Sequence, residues 1–458
     1  MNMKKLLCMV MAMLMVLSAM ALAESDDLQA QLDAANARIE ELEAQVEQYK
    51  PYYDAQIVAE FGEDGIIWRE DAQKEYEAAA SAYAQYGLSI DDFAGEIKQE
   101  ILETLVQNAI LDAKSAEMGL SEIDDETRAD LEAQAAETYE GYVESYKSYF
   151  AAEDATDEEA REQTIAAMEQ YGITLDVLTE QIVENYVGDQ LFNAVTENVE
   201  VSDEEVQAKY DAMVASDEEN YAEDYAYTTA RTNGETIVWN PEGYRAVKHV
   251  LIQFSDDQSQ LYSDLQSTLA SLNEELEALD APAEETDEAE DAEAEPEETA
   301  EPRTREQIQA DIANIAAETE ALYSELLPQA QQVIDEFNGG TDFDSLIEKY
   351  NADPGMKTEP TATIGYAVAS FSSSWDPAFT EGAMSIESVG QISGPIYGQY
   401  GIHVIYYLDD ITPGAVPFED VADAVTQEAL SDKTSETYSE QVNAWIEEAS
   451  PVYHVDRF

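Results

Sequence analysis

Two of the chain's three histidines lie where an imidazole is hard to place. His249 is inside Ala246-Val-Lys-His-Val-Leu-Ile-Gln-Phe254, a strongly β-prone run, and His403 is inside Gly401-Ile-His-Val-Ile-Tyr406. A ring nitrogen within a hydrophobic strand must find a hydrogen-bond partner. Each is therefore either a satisfied core histidine or part of a polar site. His454 sits in the C-terminal tail. Neutral imidazoles can anchor a hydrogen-bond network, carry protons or bind a metal. A metal site built on the pair lacks a third convincing ligand. Carboxylates are too abundant for any two to stand out as general acid and base. Phosphate loops, serine-nucleophile elbows and His-x-x-x-His helices are absent.

Composition narrows the chemistry. The 458 residues carry 101 acids against 21 bases, a formal charge of −80. Such a chain will not hold nucleic acid through phosphate contacts, nor an anionic membrane by charge. A hydrophobic content of 45% is ordinary for a globular protein and argues against pure disorder. Cys8 is the only cysteine, so a disulfide scaffold is excluded. Lys4 and Lys5, the apolar run Leu6 to Leu17 and Ala21-x-Ala23 read as a cleavable export signal over 1–23. The run is short for a membrane span. No stable span is expected after cleavage, and the mature chain is expected outside the cytoplasm.

The elements that must position the histidines follow from periodicity. Leu28, Leu32, Ala35, Ile39, Leu42, Val46 and Tyr49 form a heptad seam over 24–50, a spacer helix or a dimerising coiled coil, ended by Lys50-Pro51. A helical domain follows over 51–245. Thr156-Asp-Glu-Glu159 and Ser202-Asp-Glu-Glu205 are capping boxes within it. The β-run then opens an α/β region over 246–411. It is interrupted at 256–327 by a helical arm, a low-complexity acidic tract (Pro282 to Pro302, without Lys or Arg) and a returning arm. Residues 412–458 hold a final helix and a short strand.

The order of motifs across this region resembles parvulin-type peptidyl-prolyl isomerases. Val247-Lys-His249-Val-Leu-Ile252 opens like their first strand. Phe337-Asn-Gly-Gly-Thr-Asp-Phe343-Asp-Ser-Leu346 through Asp353 resembles their "GxxFxxLAxxxSxD" segment. Ile364-Gly365-Tyr366 resembles "DLGxF", and Trp375-Asp-Pro377-Ala-Phe379 resembles "MVPxF". Val389-Gly390 to Ile396 resembles "xGExSxPV", and Tyr400-Gly-Ile-His403-Val-Ile405 resembles "FGYHII". The flanking helices resemble the arrangement of the PrsA/SurA type of extracytoplasmic foldase.

The resemblance implies an α+β multidomain protein. It has a helical chaperone-like module and a parvulin domain, a small antiparallel sheet with helices, carrying the acidic insertion. Strands at Ile57–Phe61 and Val452–Val455 are expected to pair. The implied function is isomerisation of X–Pro bonds and chaperoning of unfolded exported polypeptides. The alternatives are an inactive parvulin-like holdase and a coiled-coil interaction protein; a homodimer is left open. Rotation about an amide breaks no bond, so no cofactor or metal is implied. By motif position His249 and His403 are the paired histidines, and Asp353 takes the Cys/Asp position near the substrate carbonyl. Phe379 is the proline-pocket ring, with Ile364 and Trp375 as its walls. Trp375 stands where methionine is usual. Gly398 stands where a Thr or Ser often supplies a hydroxyl.

Overall fold

The computed structural model describes residues 25–90, 93–152, 154–280 and 303–458, with side chains from residue 34 onward and excepting that of 280. The export signal, Cys8, the side chains of Leu28 and Leu32 and the acidic tract Pro282 to Pro302 lie outside the described residues. In chain order the first elements are α1 (Ser25–Asp54), β1 (Ile57–Phe61), β2 (Gly65–Trp68), α2 (Arg69–Gln85), α3 (Ala94–Glu117), α4 (Asp125–Phe150), α5 (Asp157–Gln170) and α6 (Leu175–Thr196). Then come α7 (Asp203–Asn220), α8 (Asp224–Asn233), β3 (Trp239–Asn240), β4 (Arg245–Gln253), α9 (Asp256–Asp280), α10 (Arg305–Asn338), α11 (Phe343–Tyr350) and α12 (Thr361–Ile364). The chain closes with β5 (Tyr366–Val368), α13 (Pro377–Ser385), β6 (Ile396–Gly398), β7 (Gly401–Asp410), β8 (Gly414–Ala415), α14 (Phe418–Ala449) and β9 (Val452–Tyr453). Two compact units result: residues up to Glu200 with Asp432–Phe458, and Val201–Ser431.

The first unit is helical around a three-stranded antiparallel sheet of order β2-β1-β9. Ala59 lies opposite Tyr453 and Glu60 opposite Val452, so the two ends of the unit meet in one sheet. Leu102, Val106 and Ile110 repeat every four residues on α3 and bury against Val58, Ala59 and Ile67, with Trp445 and Ile446 alongside. The capping box at Thr156–Glu159 starts α5, with both reciprocal bonds made. Helix α1 does not stop at Pro51. Proline withholds one donor, but its own carbonyl accepts the Ala55 amide (3.1 Å) and the last turn persists to Asp54. On α4 and α5 the rings of Tyr142, Tyr146, Tyr149, Phe150 and Tyr171 form a run of neighbours, the last pair stacked with centroids 5.9 Å apart. Tyr149 and Tyr171 are 78% and 69% exposed.

The second unit is built on a four-stranded antiparallel sheet of order β5-β4-β7-β6. Strand β4 is buried along nearly its whole length, which explains its near-continuous apolar sequence. Val250, Ile252 and Val404 share one core with Ala330 and Val333 of α10 and Leu346 and Ile347 of α11. Helices α7 and α8 belong to this unit, inside the 51–245 span expected as a separate helical domain. Tyr227 of α8 is fully buried and packs edge-on against Tyr244, 4.7 Å between centroids, in a cluster with Ala367 and Ala369. The insertion forms a helical pair: Leu265 and Leu272 of α9 bury against Ile308, Ile315 and Leu322 of α10. Its expected end at 327 falls inside α10, which runs unbroken through Pro328 to Asn338. Among the described residues no helix is long and apolar enough to cross a membrane.

Candidate active site

Strand alternation puts the two histidines on one face. Leu251 of β4 lies directly opposite His403 of β7, and His249 is its diagonal neighbour two residues away. The rings meet: His249 Nδ1 lies 3.0 Å from His403 Nδ1, with the planes 27° apart. His249 Nε2 lies 2.7 Å from Asp353 Oδ2. That oxygen also accepts the Tyr366 hydroxyl (3.0 Å), while Oδ1 accepts the Gly355 amide (2.9 Å). Asp353 itself is aimed by Asn351, whose Oδ1 accepts the amides of Leu251 (2.8 Å) and Asp353 (3.2 Å). Tyr366, Asp353, His249 and His403 thus form one hydrogen-bonded string across the sheet.

The charges on the string follow from its partners. Burial pushes the Asp353 carboxyl up, but the His249 hydrogen bond and charge, the Gly355 amide and the Tyr366 hydroxyl outweigh it and hold the group below its usual range. Burial and the neighbouring His249 lower His403 to about 3, so its ring is neutral at physiological pH. The Tyr366 hydroxyl is pushed up by burial and by Asp353, and stays a donor. A carboxylate at Asp353 places a proton on His249 Nε2. One of the two Nδ1 atoms donates to the other, which leaves His403 Nε2 as the outer end of the string. That atom is buried without a partner. It faces Gly398, where an added Cβ would stand 2.8 Å from Nε2. The missing hydroxyl noted in the sequence is therefore a missing hydrogen bond at the end of the string.

Beside the string lies a cavity of about 340 Å³, lined by Leu251, Asp353, Tyr366, Trp375, Phe379 and Tyr400 among others. Phe379 sets its ring edge-on to both histidines, with centroids 5.1 and 5.2 Å away. Its helix α13 is pinned at both ends. Asp376 caps the N-terminus through the Ala378 amide (2.7 Å), and Arg245 donates to the Ala383 and Ile386 carbonyls (3.2 and 2.8 Å) at the C-terminus. Trp375 packs on Tyr366, 4.6 Å between centroids, and its indole donates to the Ala367 carbonyl (2.8 Å).

Five of the six expected site residues converge on this cavity: His249, Asp353, His403, Trp375 and Phe379. Ile364 does not. It ends the helical turn α12, after which Gly365 takes a left-handed φ of +68°. A Cβ at Gly365 would fall 2.6 Å from the Val247 carbonyl oxygen, so the chain must reverse there on a glycine. The reversal sends Ile364 into a different depression, beside Arg231 and Leu408, and brings Tyr366 to the cavity in its place.

Tyr366 and Tyr400 are site residues that the sequence alone does not single out; an aromatic next to a motif glycine is the signal that could have found the first. Asp224 carried no signal among 101 acids. Its carboxylate accepts from the Tyr244 hydroxyl (2.7 Å), the Ser372 and Ser374 hydroxyls (both 2.8 Å) and the amides of Ser373 and Ser374 (2.8 and 3.0 Å). It holds the loop that delivers Trp375.

Fold and site together define a parvulin-type domain. Residues 318–409 match the Rotamase family, described as a PPIC-type PPIASE domain. Foldase protein PrsA 3 of Bacillus anthracis is 29% identical over 124 residues, 26% of this chain and 41% of that protein. Foldase protein PrsA of Clostridium perfringens strain ATCC 13124 is 28% identical over 141 residues, 30% and 41% of the two. The chain thus spans 41% of the length of each of these relatives. The crystal structure of PrsA from Bacillus subtilis is similar at 15% identity and a TM-score of 0.26, over 86% of this chain and 93% of that one.

Proposed function

We propose that this protein is an extracytoplasmic peptidyl-prolyl cis-trans isomerase that also holds unfolded exported polypeptides. The observation that carries the reading is the string from Tyr366 to His403 lying beside an apolar cavity floored by Phe379. Amide rotation has a barrier of about 18–20 kcal/mol, because the planar form is conjugated. A site accelerates it by binding the twisted amide better than either planar one. Phe379 and Trp375 take the proline ring. The paired histidines and the Asp353 carboxylate form a fixed polar floor under the amide. Both oxygens of Asp353 are already engaged, which favours a positioning role over attack on the carbonyl. No bond to substrate forms or breaks.

A second reading is supported by the exposed aromatic run of α4 and α5. In this reading the helical unit holds clients, and the isomerase site contributes little. The exposed helix α1, with Tyr49 and Tyr52 at 60% and 73% exposure, is the surface on which a homodimer would form. Concentration-dependent mass tests it.

The deciding experiment is proline cis/trans exchange by NMR in an Ala-Pro peptide, with wild type and His403→Ala side by side. Acceleration that the substitution removes, with circular dichroism unchanged, is the expected result. Exchange at the uncatalysed rate with wild type, together with suppressed client aggregation, would leave the holding function alone.

A further inference from the structure

The insertion carries a groove that the isomerase chemistry does not use. It measures about 520 Å³ and is lined by Leu269 of α9, by Ile312, Ala316, Thr319 and Tyr323 of α10, and by Tyr397 of β6. Its origin is a fault in a helix–helix seam. On α10 the residues Ile308, Ile312, Ile315, Thr319, Leu322 and Leu326 step by four and three, as a coiled-coil seam does. Thr319 is the one polar member. A helical threonine ordinarily returns its hydroxyl to the carbonyl four residues back, as Thr164, Thr268 and Thr426 do here. Thr319 Oγ1 makes no such bond and is buried without a partner. The seam therefore opens onto an apolar trough with one unsatisfied hydroxyl in its wall.

The trough and the isomerase site are lined by the two ends of one hairpin. Tyr397 lines the trough, and Tyr400, across the β6–β7 turn, lines the active cavity. The Tyr323 hydroxyl donates to the Gly398 carbonyl (3.0 Å), and Gly398 is the residue against His403 Nε2. Tyr397 and Tyr400 are 48% and 55% exposed, so an extended chain leaving the cavity crosses apolar rings on its way. The surroundings are acidic. The described helical pair, 256–280 and 303–327, carries twelve carboxylates against two arginines, Arg303 and Arg305. Arg303 is already bound to Glu275 and Asp311.

We propose that this trough is a second subsite for the polypeptide substrate: it takes an aromatic or aliphatic side chain flanked by lysine or arginine, a few residues along the chain from the proline. Apolar walls bury the side chain, and the carboxylates of the helical pair, with Glu320 in the trough wall, meet the basic flank. The acidic tract of the chain itself has the wrong charge for this rim. The assignment deepens the isomerase reading and rests on it for the role of the subsite, while binding to the trough is measurable by itself.

The test uses a short Ala-Pro peptide, the same peptide extended by a Lys-Phe-Leu-Lys segment on either side, and the two extended peptides with Pro→Ala. Wild type is expected to accelerate exchange in one extended peptide at least about five-fold more, in kcat/KM, than in the short one, the effect of one half-buried apolar side chain. The matching proline-free peptide is expected to bind, more weakly as salt rises. Ala316→Trp, which fills the trough from an exposed helix position, is expected to abolish both effects and leave the short peptide unchanged. Replacing the peptide lysines by glutamates should do likewise. Equal handling of short and extended peptides, or binding that Ala316→Trp leaves intact, overturns the subsite. If no peptide is accelerated but the proline-free peptide still binds in the trough, the isomerase reading fails and the binding site stands.

Discussion

The sheet unit and the helical unit treat their aromatic side chains in opposite ways. Around the histidines three rings are held by something besides packing: Tyr366 by Asp353, Trp375 by the Ala367 carbonyl, and Phe379 through a helix capped at each end. On α4 and just past the end of α5 the tyrosines pack on one another and on Phe150, and Tyr149 and Tyr171 leave most of their surface in water. A site that must favour one twisted geometry of one amide needs rings fixed to fractions of an ångström. A surface that only buries apolar area needs none of this, since the hydrophobic effect is non-directional. Under the proposed function, the difference matches a division between turning a bond and holding a chain.

The sharpest way to break this comparison is His403→Ala. It should lower isomerisation roughly 10²-fold, the cost of losing pre-organised geometry, while suppression of client aggregation is unchanged. Parallel NMR exchange and light scattering would decide. An equal loss in both would erase the distinction between the units.

Next in size is the pH dependence of folding. His403 falls from an ordinary 6.5 to about 3 in the folded state. The unfolded chain therefore binds this proton first, and stability is lost as pH falls below 6.5, by about 2 kcal/mol at pH 5. Asp353, also lowered, adds a loss in the same direction only below the usual carboxylate range. Because the net charge of −80 gives a background slope of its own, the quantity to follow is the difference in Tm between wild type and His403→Gln. That difference should narrow from pH 7 to pH 5. A constant gap would refute a buried neutral His403.

Two substitutions probe how the rings are held. Gly398→Ser restores a hydroxyl beside His403, yet its Cβ would stand 2.8 Å from Nε2 and 3.1 Å from Asp376 Oδ2. His403 is hemmed in by His249 and Phe379, so the ring must shift, and we expect about a ten-fold loss in kcat/KM where a simple hydroxyl count predicts a gain. Asp224→Asn removes the charge that gathers the Ser372–Ser374 loop. It should cost about five-fold, chiefly in KM, with faster hydrogen exchange at the Trp375 indole as the signature that the loop has come loose. Smallest is Tyr149→Ser with Tyr171→Ser, expected to weaken aggregation suppression roughly two-fold and to leave isomerisation alone.

How much could be read in advance depended on whether the chain reports its constraints locally. His249 and His403 stood out because a polar ring in a β-run is anomalous wherever it occurs. Asp353, Trp375 and Phe379 were placed by spacing within a motif series. Ile364 misled because its side-chain direction depends on a reversal at Gly365, which a linear motif does not show. The persistence of α1 past Pro51 and of α10 past Pro328 reflects a general point: proline removes one bond from a helix, and neighbouring turns can keep it running. Asp224 was invisible for another reason. Its role depends on a loop about 150 residues away, and in so acidic a chain one more aspartate carries no information.

The point at which the insertion leaves the sheet has a practical consequence. Strand β4 is tied off just before the arm begins, by the Phe254 amide on the Tyr400 carbonyl (3.0 Å), and the Ala352 amide returns to the Leu251 carbonyl (3.0 Å). Both bonds lie outside the arm, so β4 keeps these two ties whatever is spliced in, while the present arm adds the Tyr323 hydroxyl on the Gly398 carbonyl. The end of β4 is in effect a socket beside the active cavity. On the proposed function, arms of other length or charge, exchanged there, would give one core a set of interchangeable addresses for different polypeptides.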